Sequence, residues 1–158
     1  MEKFKKLGLG AGMLKAIAEA GFTEPSDIQE KAIPLVFAGK DVLGSSATGS
    51  GKTLAFGAGI IERLTHGKGI GALILTPTRE LAEQVGKTLH KFSRHTGLII
   101  KEIYGGVSIE PQKHALRVAD IVVGTPGRIL DHLRQATLNL SNVRFLVLDE
   151  ADSMLDMG

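Results

Sequence analysis

The sequence predicts an α/β fold, a mainly parallel sheet covered by helices on both faces. Three observations carry that expectation: short apolar runs that are continuous rather than alternating, helical spacing in the segments between them, and a length of 158 residues, which suits one domain. The runs at 41–44, 71–76, 98–104, 119–124 and 144–149 read as five buried strands. Helical spacing occupies 54–64, 80–92 and 129–133 between them. Two further helices, near 11–20 and 27–37, precede the first strand and are separated by Gly21-Phe22-Thr23-Glu24-Pro25. No repeat, low-complexity tract or long linker interrupts the pattern.

Composition narrows the function classes. A hydrophobic content of 43% is enough for a core that buries about 70% of the unfolded surface. The net charge of +2, from 19 basic and 17 acidic side chains, rules out a global basic field, so any nucleic-acid contact is a local patch. Aromatic residues make up 4% and Trp is absent, which argues against a base-stacking platform and for contact with backbone phosphates. Zero cysteines exclude disulfides and thiolate metal sites. With no signal-peptide pattern and no apolar run near 18 residues, the expectation is a cytoplasmic protein without a membrane partner.

Chemistry concentrates at two places. After the first apolar run comes Ser45-Ser46-Ala47-Thr48-Gly49-Ser50-Gly51-Lys52-Thr53, a glycine-rich loop ending in Gly-Lys-Thr before a helical pattern. Small residues let backbone N–H groups close around phosphates, Lys52 neutralises β/γ charge, and the Thr53 hydroxyl can ligate Mg²⁺. The first position of this G-x-x-x-x-G-K-T string holds Ser46 instead of Gly, which fits where the backbone angles are ordinary. After the last apolar run comes Asp149-Glu150-Ala151-Asp152. Adjacent acids at a strand's carboxyl end could cap the following helix, but beside a phosphate loop they suit phosphoryl transfer: Asp149 on the metal side, Glu150 activating water.

Other motifs have a structural and a functional reading. Ser26 and Gln29 form a capping box, which makes Gln29 a structural residue when taken alone; Phe22 would be a core residue and Phe4 a plug at the chain start. Thr76-Pro77-Thr78-Arg79-Glu80 and Thr125-Pro126-Gly127-Arg128 are strand ends that lead into helices, good capping chemistry and also ready phosphate sites. Gly105-Gly106 is a turn or a place of close backbone approach. His66, His90, His95, His114 and His132 lack metal-ligand spacing and read as surface residues; Met154 and Met157 read as packing residues.

In order, Phe4, the 21–29 stretch, 46–53, Pro77-Thr78-Arg79-Glu80-Leu81-Ala82, Gly105-Gly106, Thr125-Pro126-Gly127-Arg128 and Asp149-Glu150-Ala151-Asp152 resemble the first RecA-like domain of DEAD-box ATP-dependent RNA helicases over almost the whole chain. The resemblance implies a three-layer RecA-like P-loop NTPase domain that binds ATP and Mg²⁺. It implies that Gln29 reads the adenine edge, Phe22 stacks on the ring with Phe4 in support, and residues Ala47, Thr48, Gly49, Ser50, Gly51, Lys52 and Thr53 hold the phosphates. Lys52, Asp149 and Glu150 would be catalytic, with Mg²⁺ held by Thr53 and, through water, Asp149. Asp152 would couple the ATP and RNA sites. Pro77, Thr78, Arg79, Gly105, Gly106, Thr125, Pro126, Gly127 and Arg128 would meet the backbone of single-stranded or duplex RNA.

In the family the chain continues past the acidic motif with a strand ending in Ser-Ala-Thr and a second RecA-like domain bearing arginine fingers. Residues 1–158 therefore read as a partial first domain, with the glutamine-motif region at 1–38, incomplete at its C-terminal end and nearly inactive alone. Two other classes fit parts of the pattern: a non-catalytic nucleotide-gated RNA-binding module, and a GTPase or small-molecule kinase, for which the Asn-Lys-x-Asp guanine reader is absent.

Overall fold

A computed structural model describes residues 1–46, 49 and 51–156 and divides the chain into two units, residues 1–64 with 88–97 and residues 65–87 with 98–158. Ala47, Thr48, Ser50, Met157 and Gly158 lie outside the described residues.

The first unit is helical: α1 (Glu2–Lys5), α2 (Ala11–Glu19), α3 (Asp27–Phe37), α4 (Lys52–Arg63) and the end of α5 (Arg79–Ser93). The capping box starts α3: the Ser26 hydroxyl accepts from the Gln29 amide, and Gln29 Oε1 accepts from the Ser26 amide at 2.9 Å. Helices α3 and α4 pack closely because Gly59 has no side chain; a Cβ there would lie 2.8 Å from the Phe37 backbone nitrogen. Phe4, Met13, Ile17 and Ile33 are buried completely or nearly so, so Phe4 is the expected plug, whereas Phe22 is exposed at 39% and touches Phe92 with ring centroids 5.9 Å apart.

The second unit holds a four-stranded parallel sheet of order β2-β3-β1-β4, built from β1 (Ala72–Leu75), β2 (Ile100–Ile103), β3 (Ile121–Gly124) and β4 (Phe145–Leu148). Helices α6 (Glu110–Val118), α7 (Pro126–Arg134) and α8 (Ala151–Asp156) come after β2, β3 and β4. Its apolar cluster joins Ile103, Leu116, Val122, Ile129 and Leu138. At the amino ends of the strands, the buried Asp120 carboxylate accepts the Ile99 amide at 2.7 Å and the Gly67 amide at 3.0 Å and pairs with His66 Nδ1 at 2.7 Å. One short side chain thus ties two segments, at 66–67 and 99, to the start of β3 and gives two backbone amides their acceptor.

Three expectations need correction. Residues 41–44 form no strand: Val42 is 42% exposed and Leu43 fully exposed, because an apolar run becomes a strand only through a ladder, and the sheet assembled by the described residues does not include it. Continuous burial holds for β1 and β3, but β4 alternates, with Leu146 at 62% and Leu148 at 53% exposure, so the sheet is not covered on both faces at that end. Helix α7 begins at Pro126 instead of 129, and α6 went unread because its first turn holds Pro111 and only Gln112 and Leu116 of its nine residues are buried.

Candidate functional site

Parallel register decides where the motifs emerge. Leu75 stands opposite both Gly124 and Leu148, and Ile103 opposite Gly124, so all four strands end together. Across the sheet, Gly105-Gly106, Thr125–Arg128, Thr76–Arg79 and Asp149–Asp152 leave its carboxyl edge in that order, the edge where open α/β sheets bind ligands. The ladder extends into the motifs: the Thr125 amide donates to the Ile103 carbonyl at 3.1 Å, Thr76 to Gly124 at 2.9 Å and Asp149 to Leu75 at 2.9 Å.

Two helix starts on this edge differ in capping. Thr78 Oγ1 accepts the Leu81 amide at 3.2 Å, while Thr76, fully buried, donates its hydroxyl to the Thr78 carbonyl at 3.2 Å. Thr125 is extended and makes no side-chain capping bond, so the capping expectation fails there and the first-turn amides of Gly127 and Arg128 receive no cap from the Thr125 hydroxyl. An added Cβ at Gly105 or Gly127 would meet nothing within 4 Å, and neither has positive φ, so neither glycine is required by the fold itself. Gly106 has φ +81° and needs to be glycine for its conformation.

The arginines of this edge are both held. Arg79 lies over the Tyr104 ring, 4.7 Å from its centroid, and donates from Nε to Glu83 at 3.3 Å; the Tyr104 hydroxyl donates to the same Glu83 oxygen at 2.9 Å. The Tyr104 and Arg79 hydrogen bonds hold the Glu83 carboxyl below its usual range, and the bond to Glu83 raises both Arg79 and the Tyr104 phenol. Arg128 donates from Nη1 to Gln112 Oε1 and from Nη2 to the Val107 carbonyl, each at 3.0 Å, and is 13% exposed. His132, expected at the surface, is fully buried, because α7 turns it inward to Gln112 Oε1 at 3.0 Å and Thr137 Oγ1 at 2.7 Å; burial, reinforced by Arg128, lowers its pKa. Sequence reading missed Gln112, Glu83 and Tyr104; nothing local marks Gln112, whose neighbours come from β2, α7 and the turns after them.

Asp149 and Glu150 join β4 to α8, and Glu150 has φ +56°, one of two non-glycine residues with positive φ among those described. That left-handed conformation carries steric strain for a side chain of this size. Ser46 is not the other, so its departure from glycine causes no such strain.

In the first unit the end of the glycine-rich loop meets the capping box. Gly51, φ +83°, is the N-cap of α4, and Lys52 and Thr53 form its first turn with no side-chain cap. Gln29, 1% exposed, donates from Nε2 to the Gly51 carbonyl at 3.2 Å, and a Cβ on Gly51 would collide with that amide nitrogen. The structural reading of Gln29 is thus met, and the same side chain also holds the loop carbonyl of Gly51. Thr53 carries a hydroxyl and Asp149 a carboxylate, each an oxygen donor of the hard kind that Mg²⁺ takes alongside water and phosphate. Among the described residues no helix is long and apolar enough to cross a membrane.

Comparison with known proteins places this geometry. The parallel sheet with helix-led strand ends is a RecA-like α/β fold: it matches the crystal structure of a DEAD box protein from the hyperthermophile Methanococcus jannaschii with a TM-score of 0.95 and 50% identity, over 98% of this chain and 43% of that one. A hypothetical ATP-dependent RNA helicase from Sulfolobus tokodaii matches with a TM-score of 0.88 and 39% identity, over 95% and 44%. In sequence the chain is 50% identical to a probable ATP-dependent RNA helicase of Methanocaldococcus jannaschii, over 98% of this chain and 42% of that protein. It is also 50% identical to the DEAD-box ATP-dependent RNA helicase CshA of Streptococcus pneumoniae, over 99% and 30%. The DEAD/DEAH box helicase family model matches residues 26–158, and the chain belongs to that family. It spans less than half the length of these relatives.

Proposed function

We propose that this chain is the ATP-binding and RNA-binding part of an ATP-dependent RNA helicase of the DEAD-box type, working in the cytoplasm. Residues 1–158 would be part of a first RecA-like domain, with the glutamine-motif region at 1–38, that acts together with a second such domain. The observation that carries this reading is the common carboxyl edge from which the glycine pair, both Thr-Pro helix starts and the acidic motif emerge.

Each residue has a chemical task. Ala47 to Thr53 cradle the triphosphate on the α4 N-terminus, and Lys52 offsets its charge. Gln29 reads the adenine edge and the half-exposed Phe22 ring stacks on the base, supported by the buried Phe4. Thr53 and, through water, Asp149 hold Mg²⁺, which when bound neutralises charge on the phosphates. Glu150 positions the attacking water, and Asp152 couples the ATP and RNA sites. Pro77, Thr78, Arg79, Gly105, Gly106, Thr125, Pro126, Gly127 and Arg128 line the track for the RNA sugar-phosphate backbone, which needs close approach at Gly105 and Gly127 and donors at the α7 start. Arginines completing a phosphoryl-transfer site contribute about 10³–10⁵ in rate, so without the second domain's arginines the 158 residues bind ATP weakly and turn it over negligibly.

Equilibrium binding of ATP and GTP, with phosphate release in the presence of RNA, tests this. The expected result is weak binding with a preference for ATP that Gln29→Ala removes, and negligible turnover. Equal affinity for GTP overturns the adenine assignment, and robust turnover overturns the dependence on a second domain.

A further inference from the structure

We propose that Gln112 is a positioning residue: its buried side-chain amide clamps Arg128 and the Tyr104–Val107 segment into one arrangement, with His132 as the anchor behind it. The role rests on the reading that this edge meets RNA backbone.

The bonding is directional. Gln112 Nε2 donates to the Tyr104 carbonyl at 2.8 Å, which fixes the amide so that Oε1 faces Arg128 Nη1 and His132 Nε2, each at 3.0 Å. An oxygen that only accepts requires His132 Nε2 to carry its proton, while Nδ1 lies 2.7 Å from Thr137 Oγ1, whose hydroxyl donates to the His132 carbonyl at 3.2 Å. Burial, and then the neighbouring Arg128, lower the pKa of this ring and so favour its neutral form. Arg128 closes the clamp through Nη2 on the Val107 carbonyl. Its fork therefore points into the protein; what it offers outward is charge beside a turn of fixed shape.

The turn needs such support. Gly105 and Gly106 have more backbone freedom than other residues, and a backbone that must present itself to a phosphate chain binds more tightly when its entropy is already spent. Neither α6 nor α7 alone could do this; the amide spans both.

The test uses the 158-residue chain, a labelled oligouridylate of about ten nucleotides and the Arg128 Nε–H resonance. Gln112→Met is expected to lose the ordered Arg128 signal and to weaken RNA binding by up to about tenfold. Combining it with Arg128→Ala should weaken binding no further than the stronger single change. Gln112→Glu, which keeps an oxygen for Arg128 and His132 while losing the donor to the Tyr104 carbonyl, should retain the ordered signal; a purely space-filling role predicts instead that the similarly sized Met variant retains it too. Should Gln112→Met fail to fold, Gln112→Asn, which withdraws the oxygen by one methylene, must show the same loss of Arg128 order. An ordered Arg128 in the Met or Asn variant, or losses that add, overturns the proposal. If Arg128 loosens as expected but Arg128→Ala leaves RNA affinity unchanged, the clamp is confirmed and the RNA reading fails.

Discussion

Two neighbouring strand ends carry Thr-Pro-x-Arg, and their arginines end in opposite circumstances. Arg79 stays at the surface on a tyrosine ring, sharing one glutamate oxygen with that tyrosine's hydroxyl. Arg128 is drawn inward onto a glutamine amide and a backbone carbonyl. The same four-residue pattern thus supplies one exchangeable cation and one internal strut. The difference comes from the surroundings of each helix start: both arginines face a carboxylate one turn on, Glu83 for Arg79 and Asp131, at 3.6 Å, for Arg128, but α7 also starts beside α6, which brings Gln112. An exposed ion pair is weak and salt-sensitive, while a desolvated charge-assisted bond is costly to remove.

The largest expected effect breaks the strut. Arg128→Ala should lower unfolding stability in urea by about 2 kcal/mol, because Gln112 Oε1 and the Val107 carbonyl lose a charged donor, whereas Arg79→Ala should leave the midpoint where it is. Next comes pH. The folded-state pKa of His132 lies below the ordinary value of about 6.5, chiefly through burial and then Arg128, against an opposing pull from Asp131. The unfolded chain therefore takes up the proton first as pH falls. Stability should be complete above about pH 7 and decline below about 6.5, and His132→Asn should flatten that decline in urea midpoints measured across the range. The smallest effect concerns the exchangeable cation. Glu83→Gln should tighten oligouridylate binding by about two- to fivefold at low salt, by releasing Arg79 and removing a charge that repels phosphate, and the gain should vanish at high salt. An equal gain at every salt concentration would show that Glu83 does not act through its charge.

Family and fold class were legible because both depend on short, local strings. Gly-Lys-Thr before a helix, acids after an apolar run and Thr-Pro at two strand ends keep their meaning wherever the chain runs. The boundaries of α2 and α3 came from helical spacing, and the capping box that starts α3 formed as read. Legibility ended where partners decide. Residues 41–44 and β4 are both apolar on paper, yet β4 pairs with a neighbouring strand and 41–44 joins no ladder among the described residues. Phe4 and Phe22 are chemically identical, but burial separates them.

The amino-acid string by itself determined the motifs that mark the family, which segments can be helix or strand, and that the sheet is parallel, since these depend on backbone propensity and side-chain chemistry within a few residues. Only tertiary structure decided that His132 is buried, that Arg128 turns inward, and that Gln112 joins two helices and a turn. Those outcomes require residues 104, 107, 112, 128, 132 and 137 to meet, and a hydrogen bond across such separations exists only once the sheet and its helices have packed.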